Sequence, residues 1–421
     1  MARPPFLTRA LVATAAAAVA AGVAVAEPAT AVASTSGLPL STTDQTVHDR
    51  LTLRSQLKAL GPDLAGVVVD AATGAVVWGH TPHEAQIPAS NAKILTAVDA
   101  LEVFGPTHTF TTSVWTGSTS HQVVLYGGGD PSLSSAQLRG MARTVAAGLL
   151  ARGVHRVRVA VDDLLFPTPT NAPGWKASYT IEDVSPVRAL VVDQHRRWDT
   201  SLDAGQVLAK KLARFGMQVR PTVRHTTKSP TATVLASSQG ATLQATVARM
   251  LQESDNDIAE GLHRLVALQT GFPATWAGAQ AAQTQELTAL GVPLSSQTYD
   301  GSGLSRRDRI RPVELTTVLG KIFDPAHPNL AVLQEGAFAV AGVSGTLAPD
   351  YLRYVTAPTR CARGLIQAKT GSLSGVIALT GFTRGADGQV KLFSFLLNRV
   401  AATLATRRAV DRLAATVTGC Y

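Results

Sequence analysis

Three short motifs, far apart in the sequence, most constrain what this chain can fold into. They are Ser90-Asn-Ala-Lys93, Ser254-Asp-Asn256 and Lys369-Thr-Gly-Ser372, in that order. Each motif alone is common in proteins of this length, but the ordered set is specific. A serine needs a nearby base before it can attack an amide, and the first motif supplies a serine and a lysine together. The fold is therefore predicted to bring the three segments into one site, where a serine is acylated.

The first motif is predicted to begin a helix that ends at Gly105-Pro106. Side chains three residues apart share one helix face, so Lys93 can take the proton of Ser90 if burial or a nearby cation lowers the lysine pKa. Lys369 is the candidate for that cation. The N–H of Ser90, at the helix N-terminus, is predicted to be one oxyanion donor. Taken alone, the motif is more typical of an N-cap serine beside a surface lysine, and only the ordered set of three favours the catalytic interpretation.

The second motif falls in the junction between helices predicted over 242–253 and 257–270. In a non-helical connection, Ser254 and Asn256 can point into the same cleft. Ser254 is predicted to pass a proton to the leaving amine, and Asn256 to hold either the substrate backbone or Lys93. The alternative is an N-cap cluster for the second helix, and the two interpretations are compatible.

The third motif is predicted at the end of a strand over 364–369. On an edge strand, an extended peptide can add through backbone hydrogen bonds. Lys369 and the hydroxyls of Thr370 and Ser372 are then predicted to bind a terminal carboxylate. Gly371 keeps the approach open, and the N–H of Ser372 is the predicted second oxyanion donor. In isolation the motif is more typical of a polar strand end before a turn, and the presence of all three motifs reverses that preference.

The N-terminus predicts export. Arginines precede an alanine-rich apolar run from Ala10 to Ala26, and Ala24-Val-Ala26 has the small-x-small pattern of a cleavage site. Residues 1–26 are therefore predicted to be a secretory signal peptide, with an uncleaved membrane anchor as the alternative. No other stretch is apolar enough to span a membrane. The mature protein is expected to be extracytoplasmic, in the cell envelope or secreted, with at most peripheral membrane contact.

Charge and cysteine content exclude other classes. The formal net charge is +9 and charged residues make up 16% of the chain without a dense basic run, so nucleic-acid binding is not expected. A diffuse positive charge suits an anionic wall or lipid surface better. Cys361 and Cys420 predict one disulfide in an exported protein, with two buried free thiols as the alternative. No metal or other cofactor is expected, because histidines and cysteines lack ligand spacing.

Alternation and turn residues predict the fold class. A hairpin over 64–79 and strands over 364–369, 375–384 and 390–399 give five antiparallel strands, with helices before and after them. One antiparallel sheet with a helical cluster on its face makes the chain α+β. Residues 107–237 differ, because short β-like runs alternate with turn clusters there. The predicted domains are a β-rich insert at 107–237 and one domain in two parts, 38–106 and 238–421.

The motifs and their spacing resemble the DacB-type D-alanyl-D-alanine carboxypeptidases and endopeptidases, the class C low-molecular-mass penicillin-binding proteins. The likeness extends to Gly127-Gly-Gly-Asp-Pro-Ser132, Ser185-Pro-Val-Arg-Ala-Leu190 and Asp300-Gly-Ser-Gly-Leu-Ser-Arg306. It implies the penicilloyl-serine-transferase fold, which is β-lactamase- and transpeptidase-like, with an insert between the first two motifs. Asp308 stands where this family often has asparagine, and the insert is shorter than in larger members.

The resemblance also implies an activity. It implies a serine DD-peptidase that hydrolyses the D-Ala-D-Ala amide, or a crosslink, of peptidoglycan stem peptides through an acyl-enzyme on Ser90. β-Lactams are then expected to acylate the same serine. Two alternatives stay open: a β-lactamase or esterase on the same fold, which differs in how fast the acyl-enzyme is hydrolysed, and a non-catalytic wall-binding protein.

Overall fold

The computed structural model describes residues 40–421, which form two β-sheets with helices packed on them. The predicted signal peptide at 1–26 lies outside the described residues. The strands are β1 (Asp63–Asp70), β2 (Val76–His80), β3 (Thr109–Thr116), β4 (Gln122–Tyr126), β5 (Arg156–Asp162), β6 (Gln218–Val219), β7 (Arg224–His225), β8 (Val234–Thr242), β9 (Ala339–Val340), β10 (Ile366–Leu373), β11 (Val376–Arg384) and β12 (Val390–Asn398). The helices are α1 (Thr42–Ser55), α2 (Lys93–Phe104), α3 (Ser135–Leu150), the single turn α4 (Tyr179–Glu182), α5 (Thr200–Arg214), α6 (Leu243–Glu253), α7 (Asn256–Gln269), α8 (Trp276–Ala289), α9 (Pro312–Lys321) and α10 (Leu404–Val417).

The first sheet is antiparallel, in the strand order β2-β1-β12-β11-β10-β9. Its first five strands are the five predicted from the sequence, and this part of the prediction is confirmed. The sheet also has a sixth strand, β9, which the sequence analysis missed. It is only two residues long and pairs with β10 at Gln367 and Ala368. A strand this short has no alternation that could reveal it.

Both faces of this sheet are covered, which explains why β11 and β12 are almost continuously buried. Along β12, Leu392 and Leu396 pack against the helical cluster that contains α2 and α6 to α9. Phe393 and Phe395 point the other way, into a core shared with α1 and α10. Since successive side chains of a strand point to opposite faces, one strand serves two cores. The sheet is thus the middle layer of three.

The second sheet lies between the first two motifs, with the order β6-β5-β4-β3-β8, and β7 also pairs with β5. It is mixed, because β4, β6 and β7 run parallel to β5 whereas β3 is antiparallel to β4 and β8. Helices α3 and α5 cover one face and share its core. The sequence analysis missed α5, so this region is less purely β than expected. The predicted boundaries at 107 and 237 stay a prediction.

The C-terminus is tied to the segment before β10. Cys361 and Cys420 are bonded, with their Cα atoms 6.0 Å apart. Among residues 40–421, no helix is both long and apolar enough to cross a bilayer. The same part of the chain contains no group of three or more His, Cys, Asp or Glu side chains placed to hold a metal ion.

Candidate active site

Ser90 lies on a 3₁₀ turn, Ala89–Ala92, that leads directly into α2. The preceding residue, Ala89, has a φ of +47°, a left-handed conformation that costs a non-glycine residue energy. Ser90 is half-buried, whereas Lys93 is fully buried. The Lys93 ammonium donates a hydrogen bond to Ser90 Oγ at 3.1 Å. The turn therefore holds the serine against the lysine.

Two glycines allow neighbouring segments to pack closely against both sides of this turn. A Cβ atom on Gly303, whose φ is +79°, would lie 1.9 Å from the carbonyl oxygen of Ala89. A Cβ on Gly371 of β10 would lie 2.9 Å from the carbonyl oxygen of Pro88. Real Cβ atoms do not approach oxygen this closely, so both positions require glycine. The third motif thus needs its glycine to let β10 touch the turn that carries Ser90.

Substituting Gly303 should disturb catalysis through this contact. We expect Gly303→Ala to cost about 1–2 kcal/mol for the left-handed backbone and roughly 1–3 kcal/mol more for the clash with Ala89. Acylation of Ser90 should fall by at least about tenfold, because a displaced nucleophile loses its alignment. Gly336→Ala is the matched control, since Gly336 has a φ of +73° and nothing within 4 Å of its added Cβ. Equal acylation rates in the two variants would show that the contact of Gly303 with Ala89 does not position Ser90.

The Lys93 ammonium is held by three acceptors. Besides Ser90 Oγ, these are Asn256 Oδ1 at 2.6 Å and the carbonyl oxygen of Ser302 at 2.7 Å. The Asn256 amide nitrogen donates to the carbonyl oxygen of Asp183 at 2.8 Å, which directs the amide oxygen toward the lysine. In this structure, Asn256 therefore takes the second of its two predicted positions and binds Lys93.

Burial sets the pKa values of the two motif lysines. It lowers the pKa of Lys93 to about 8, while the carboxylates Asp300 and Glu260 oppose the drop. Burial also lowers the pKa of Lys369 well below its usual value, and repulsion from Lys93 lowers it further. Of the two causes predicted from the sequence, burial or a nearby cation, burial is the main one for Lys93, and Lys369 is not among the groups that lower its pKa.

Buried carboxyl groups build the loop that presents the Ser302 carbonyl. Glu260 accepts the backbone N–H groups of Gly301 and Ser302, at 3.1 and 2.8 Å. Asp300 accepts those of Gly303 and Ser305, at 2.8 and 2.7 Å. Both acids are fully buried. The sequence analysis missed their connection to Lys93, although the cluster of Asp, Gly and Ser at 300–305 does indicate a tight hydrogen-bonded loop.

Asp308 supports the same loop. It is fully buried, and its Oδ1 accepts the backbone N–H of Tyr299 at 2.8 Å. Burial, followed by repulsion from Asp300, raises its pKa well above the usual value. The aspartate thus binds the loop backbone at a position where the resembled family often has asparagine.

The pKa of Lys93 sets the pH dependence of acylation. A lysine acting as base must be neutral, so the rate should rise with pH through about 8. About a tenth of Lys93 is neutral at pH 7 and about nine tenths at pH 9. Asn256→Asp places a negative charge beside the ammonium, which should raise the pKa and move the midpoint upward.

The measurement is the second-order rate constant for acylation by benzylpenicillin between pH 6 and 10. Gln285→Glu, an exposed substitution on α8 with the same change of charge, is the control and should leave the midpoint unchanged. A flat profile in the unsubstituted protein would show that Lys93 is not the base.

Ser254 ends α6 in a left-handed conformation, with a φ of 61°. Asp255 is the N-cap of α7 and accepts the N–H of Ile258 at 3.0 Å. Both interpretations of the motif therefore hold, because Asp255 caps α7 while Asn256 binds Lys93. The strained backbone of Ser254 turns this short junction, so that Ser254 lines the same cleft as Ser90.

The third motif lies within β10 rather than at its end, so the predicted strand end at 369 was wrong. The strand continues to Leu373, and Ser372 pairs with Ile377 of β11. On its other side, β10 pairs with β9 only at Gln367 and Ala368. Within the described part of the chain, no strand pairs with the outer edge of β10 beyond Ala368. That edge is open to an added peptide.

A cleft of about 180 Å³ brings the motifs together. Its lining includes Ser90, Ser254, Thr370, Gly371 and Ser372. Lys369 is fully buried behind this wall, and its ammonium donates to the carbonyl oxygen of Thr370 at 2.8 Å.

Two further residues at the cleft were missed by the sequence analysis. Arg407 of α10 lines it and donates to Ser372 Oγ at 3.4 Å. Thr346 accepts a hydrogen bond from Thr370 Oγ1 at 2.7 Å. Arg407 belongs to an amphipathic helix in which arginines are ordinary surface residues, so the sequence around it does not indicate a binding role. Thr346 lies outside the three motifs, which therefore give no indication of its contact with Thr370.

Comparison with known proteins identifies the family. The sequence matches the D-Ala-D-Ala carboxypeptidase 3 (S13) family over residues 47–197 and 194–417. The chain belongs to this family. It is 34% identical over 383 residues to carboxypeptidase DacB of Mycolicibacterium smegmatis. The alignment covers 85% of this chain and 82% of that protein. The chain is accordingly a serine-type D-Ala-D-Ala carboxypeptidase, and the predicted relationship to DacB proteins is confirmed.

Solved structures confirm the predicted fold. Penicillin-binding protein 4 of Haemophilus influenzae has a TM-score of 0.73 at 20% identity, covering 86% of this chain and 97% of that chain. A structure of the same protein complexed with a β-lactam has a TM-score of 0.66 at 22% identity, covering 88% and 98%. The S13 enzyme described here therefore has the penicillin-binding-protein fold.

Proposed function

We propose that this S13 enzyme is a DD-peptidase that cleaves peptidoglycan stem peptides through an acyl-enzyme on Ser90. One observation carries the proposal: Lys93, fully buried and with a pKa of about 8, lies 3.1 Å from Ser90 Oγ. A buried lysine with a lowered pKa can accept the serine proton near neutral pH. Ser90 then faces a cleft whose wall is the open edge of β10.

The reaction has two stages, acylation of Ser90 and hydrolysis of the acyl-enzyme. Ser90 Oγ attacks the carbonyl carbon of the penultimate D-Ala and gives its proton to Lys93. The N–H groups of Ser90 and Ser372 stabilise the oxyanion. As the C–N bond breaks, Ser254 passes its proton to the leaving amine and takes the proton held by Lys93, so that Lys93 is neutral again and the acyl group stays on Ser90. Water then attacks the ester and loses a proton to Lys93. As the ester bond breaks, Lys93 returns this proton to Ser90 Oγ and the shortened peptide leaves.

The substrate lies as an added strand on the outer edge of β10. Backbone hydrogen bonds align it, as in other cases of strand addition. The hydroxyls of Thr370 and Ser372 receive the terminal carboxylate, and Arg407 adds a charged donor beside Ser372. Lys369 lies behind the strand and supports it by donating to the carbonyl oxygen of Thr370. A β-lactam enters the same cleft and acylates Ser90.

Because peptidoglycan lies outside the cytoplasm, the enzyme is expected to act at the cell wall. The predicted signal peptide at 1–26 supports this location, as does the positive net charge of the chain. Peptidoglycan stem peptides are therefore the proposed partners, with no cofactor.

Release of D-Ala tests the proposed activity. Purified enzyme is incubated with a stem pentapeptide ending in D-Ala-D-Ala and, separately, with a crosslinked muropeptide dimer. We expect free D-Ala from the first substrate or monomers from the second, and neither with Ser90→Ala. If benzylpenicillin is hydrolysed rapidly while both peptides stay intact, the enzyme is a β-lactamase. If nothing is cleaved or bound covalently, the non-catalytic alternative replaces the proposal.

A further inference from the structure

The second sheet has an exposed face opposite its helices. Along β5, Val157 and Val159 point into the core formed with α3 and α5. Arg156 and Arg158 alternate with them and are exposed. Because successive residues of a strand point to opposite faces, the two arginines stand on the face that the helices leave uncovered.

Two adjoining cavities make this face a groove. Their volumes are about 700 and 480 Å³, and both are lined by Arg158, Arg220 and Pro221. Arg156 lines the first cavity and Arg224 the second. We call this surface the arginine groove, defined by Arg156, Arg158, Arg220 and Arg224. It lies on the inserted sheet and shares no residue with the cleft at Ser90.

The groove is strongly positive. Neither cavity has an aspartate or glutamate in its lining. Within residues 40–421, none of the four arginines has a carboxylate oxygen within 4 Å. Arg156 donates to the amide oxygen of Gln218 at 2.9 Å, which leaves its charge uncompensated. Like charges gathered in a concave surface focus a positive potential and attract an anion.

We propose that the arginine groove binds a linear anionic polymer of the cell wall whose charge is carried by phosphodiester groups. Guanidinium groups match phosphate oxygens in a two-pronged geometry that lysine does not provide. Arg156 and Arg158 are two residues apart on one strand, so their Cα atoms stand roughly 7 Å apart. A chain with repeated charges can therefore contact several arginines at once as it runs across both cavities.

The lining of the groove disfavours two other anionic partners. Large exposed apolar side chains, which insert into a bilayer, are absent from both cavities, so a membrane surface is a poorer fit. Both cavities also lack Phe, Tyr and Trp, on which the bases of a single-stranded nucleic acid would stack. A flexible anionic polymer that carries neither bases nor acyl chains therefore fits the lining of the arginine groove best.

Binding of a defined probe tests this proposal. The probe is an unlipidated poly(glycerol phosphate) chain, titrated against the full-length mature enzyme at 50–300 mM NaCl. We expect binding that weakens as salt rises, because screening reduces attraction between exposed charges. Arg158→Glu with Arg220→Glu should lower the affinity at least tenfold. Arg139→Glu with Arg143→Glu, on the exposed side of α3, makes the same change of charge and should alter the affinity less than threefold.

Folding and catalysis are followed separately. Both double variants should acylate with benzylpenicillin at the unsubstituted rate, which shows that they are folded. Arg158→Gln with Arg220→Gln provides a milder change if the glutamate variant does not fold. Ser90→Ala should bind the probe as tightly as the unsubstituted enzyme. Loss of peptidase activity and loss of polymer binding are therefore distinguishable.

Several results would overturn the proposal. These are no binding at 50 mM NaCl, or an equal loss of affinity in the groove variant and in the α3 variant. Binding of poly-glutamate of the same length as tightly as the probe would show that phosphodiester groups are not preferred. Tighter binding to phosphatidylglycerol vesicles or to single-stranded DNA would assign the groove to a membrane or to a nucleic acid instead.

Discussion

Replacing Lys93 with alanine should lower the rate of Ser90 acylation by at least about a hundredfold. Lys93 is the base in the proposed mechanism, and loss of a general base typically costs about a hundredfold to ten-thousandfold. Within the described residues, its ammonium is the basic group that is hydrogen-bonded to Ser90 Oγ. The second-order rate constant with benzylpenicillin measures the effect directly, because it isolates the acylation step from deacylation.

Lys176→Ala is the matched control for this prediction. Lys176 is exposed on the inserted region, so its removal makes the same change of charge without touching Ser90. The control should acylate at the unsubstituted rate. Retention of more than a tenth of the rate in a folded Lys93→Ala protein would assign the role of base to another group.

Replacing Asp411 with alanine should destabilise the fold by about 3–5 kcal/mol. Asp411 of α10 pairs in a two-pronged geometry with Arg353, and Arg353 Nε lies 2.6 Å from Asp411 Oδ2. The two side chains are only 7% and 1% exposed. Removal of one partner leaves the other charge buried without compensation, which is the costly case for a buried ion pair. Denaturant unfolding at pH 7 measures the free energy.

Two comparisons make this prediction specific. Asp350→Ala removes an exposed carboxylate three residues before Arg353 in the sequence. It should change the free energy of unfolding by less than about 0.5 kcal/mol. The double variant Arg353→Met with Asp411→Leu removes both charges and should recover most of the lost stability, because an apolar pair avoids the desolvation cost. A double variant as unstable as Asp411→Ala would show that lost packing, rather than an unpaired charge, is responsible.

The sequence predicts those parts of the fold that depend on local pattern. Alternation and turn residues give the hairpin and the three C-terminal strands, since the relevant information lies within each segment. The motif residues were identified in the same way, because S-x-x-K places two side chains on one helix turn whatever the tertiary structure. The structure brings Ser90, Lys93 and Asn256 into hydrogen-bond contact.

Long-range burial is what the sequence does not reveal. The sequence at 300–305 indicates a tight loop, but only the packing of this loop against Lys93 shows that Asp300 and Glu260 oppose the fall in the lysine pKa. The sequence could not decide between burial and the charge of Lys369 as the cause of that fall, because desolvation depends on what surrounds a residue in three dimensions. Strand β9 and helix α5 were missed because the first is too short and the second lies in a region of turn-rich sequence.

Intact-mass measurement with benzylpenicillin determines whether Ser90 forms the acyl-enzyme. The mature protein is incubated with the antibiotic beside Ser90→Ala, and the adduct is mapped by peptide digestion. We expect one stable adduct of the mass of benzylpenicillin on Ser90 and none in the variant. An adduct on another residue, or an unchanged adduct in Ser90→Ala, would contradict the assignment of the acyl-enzyme to Ser90.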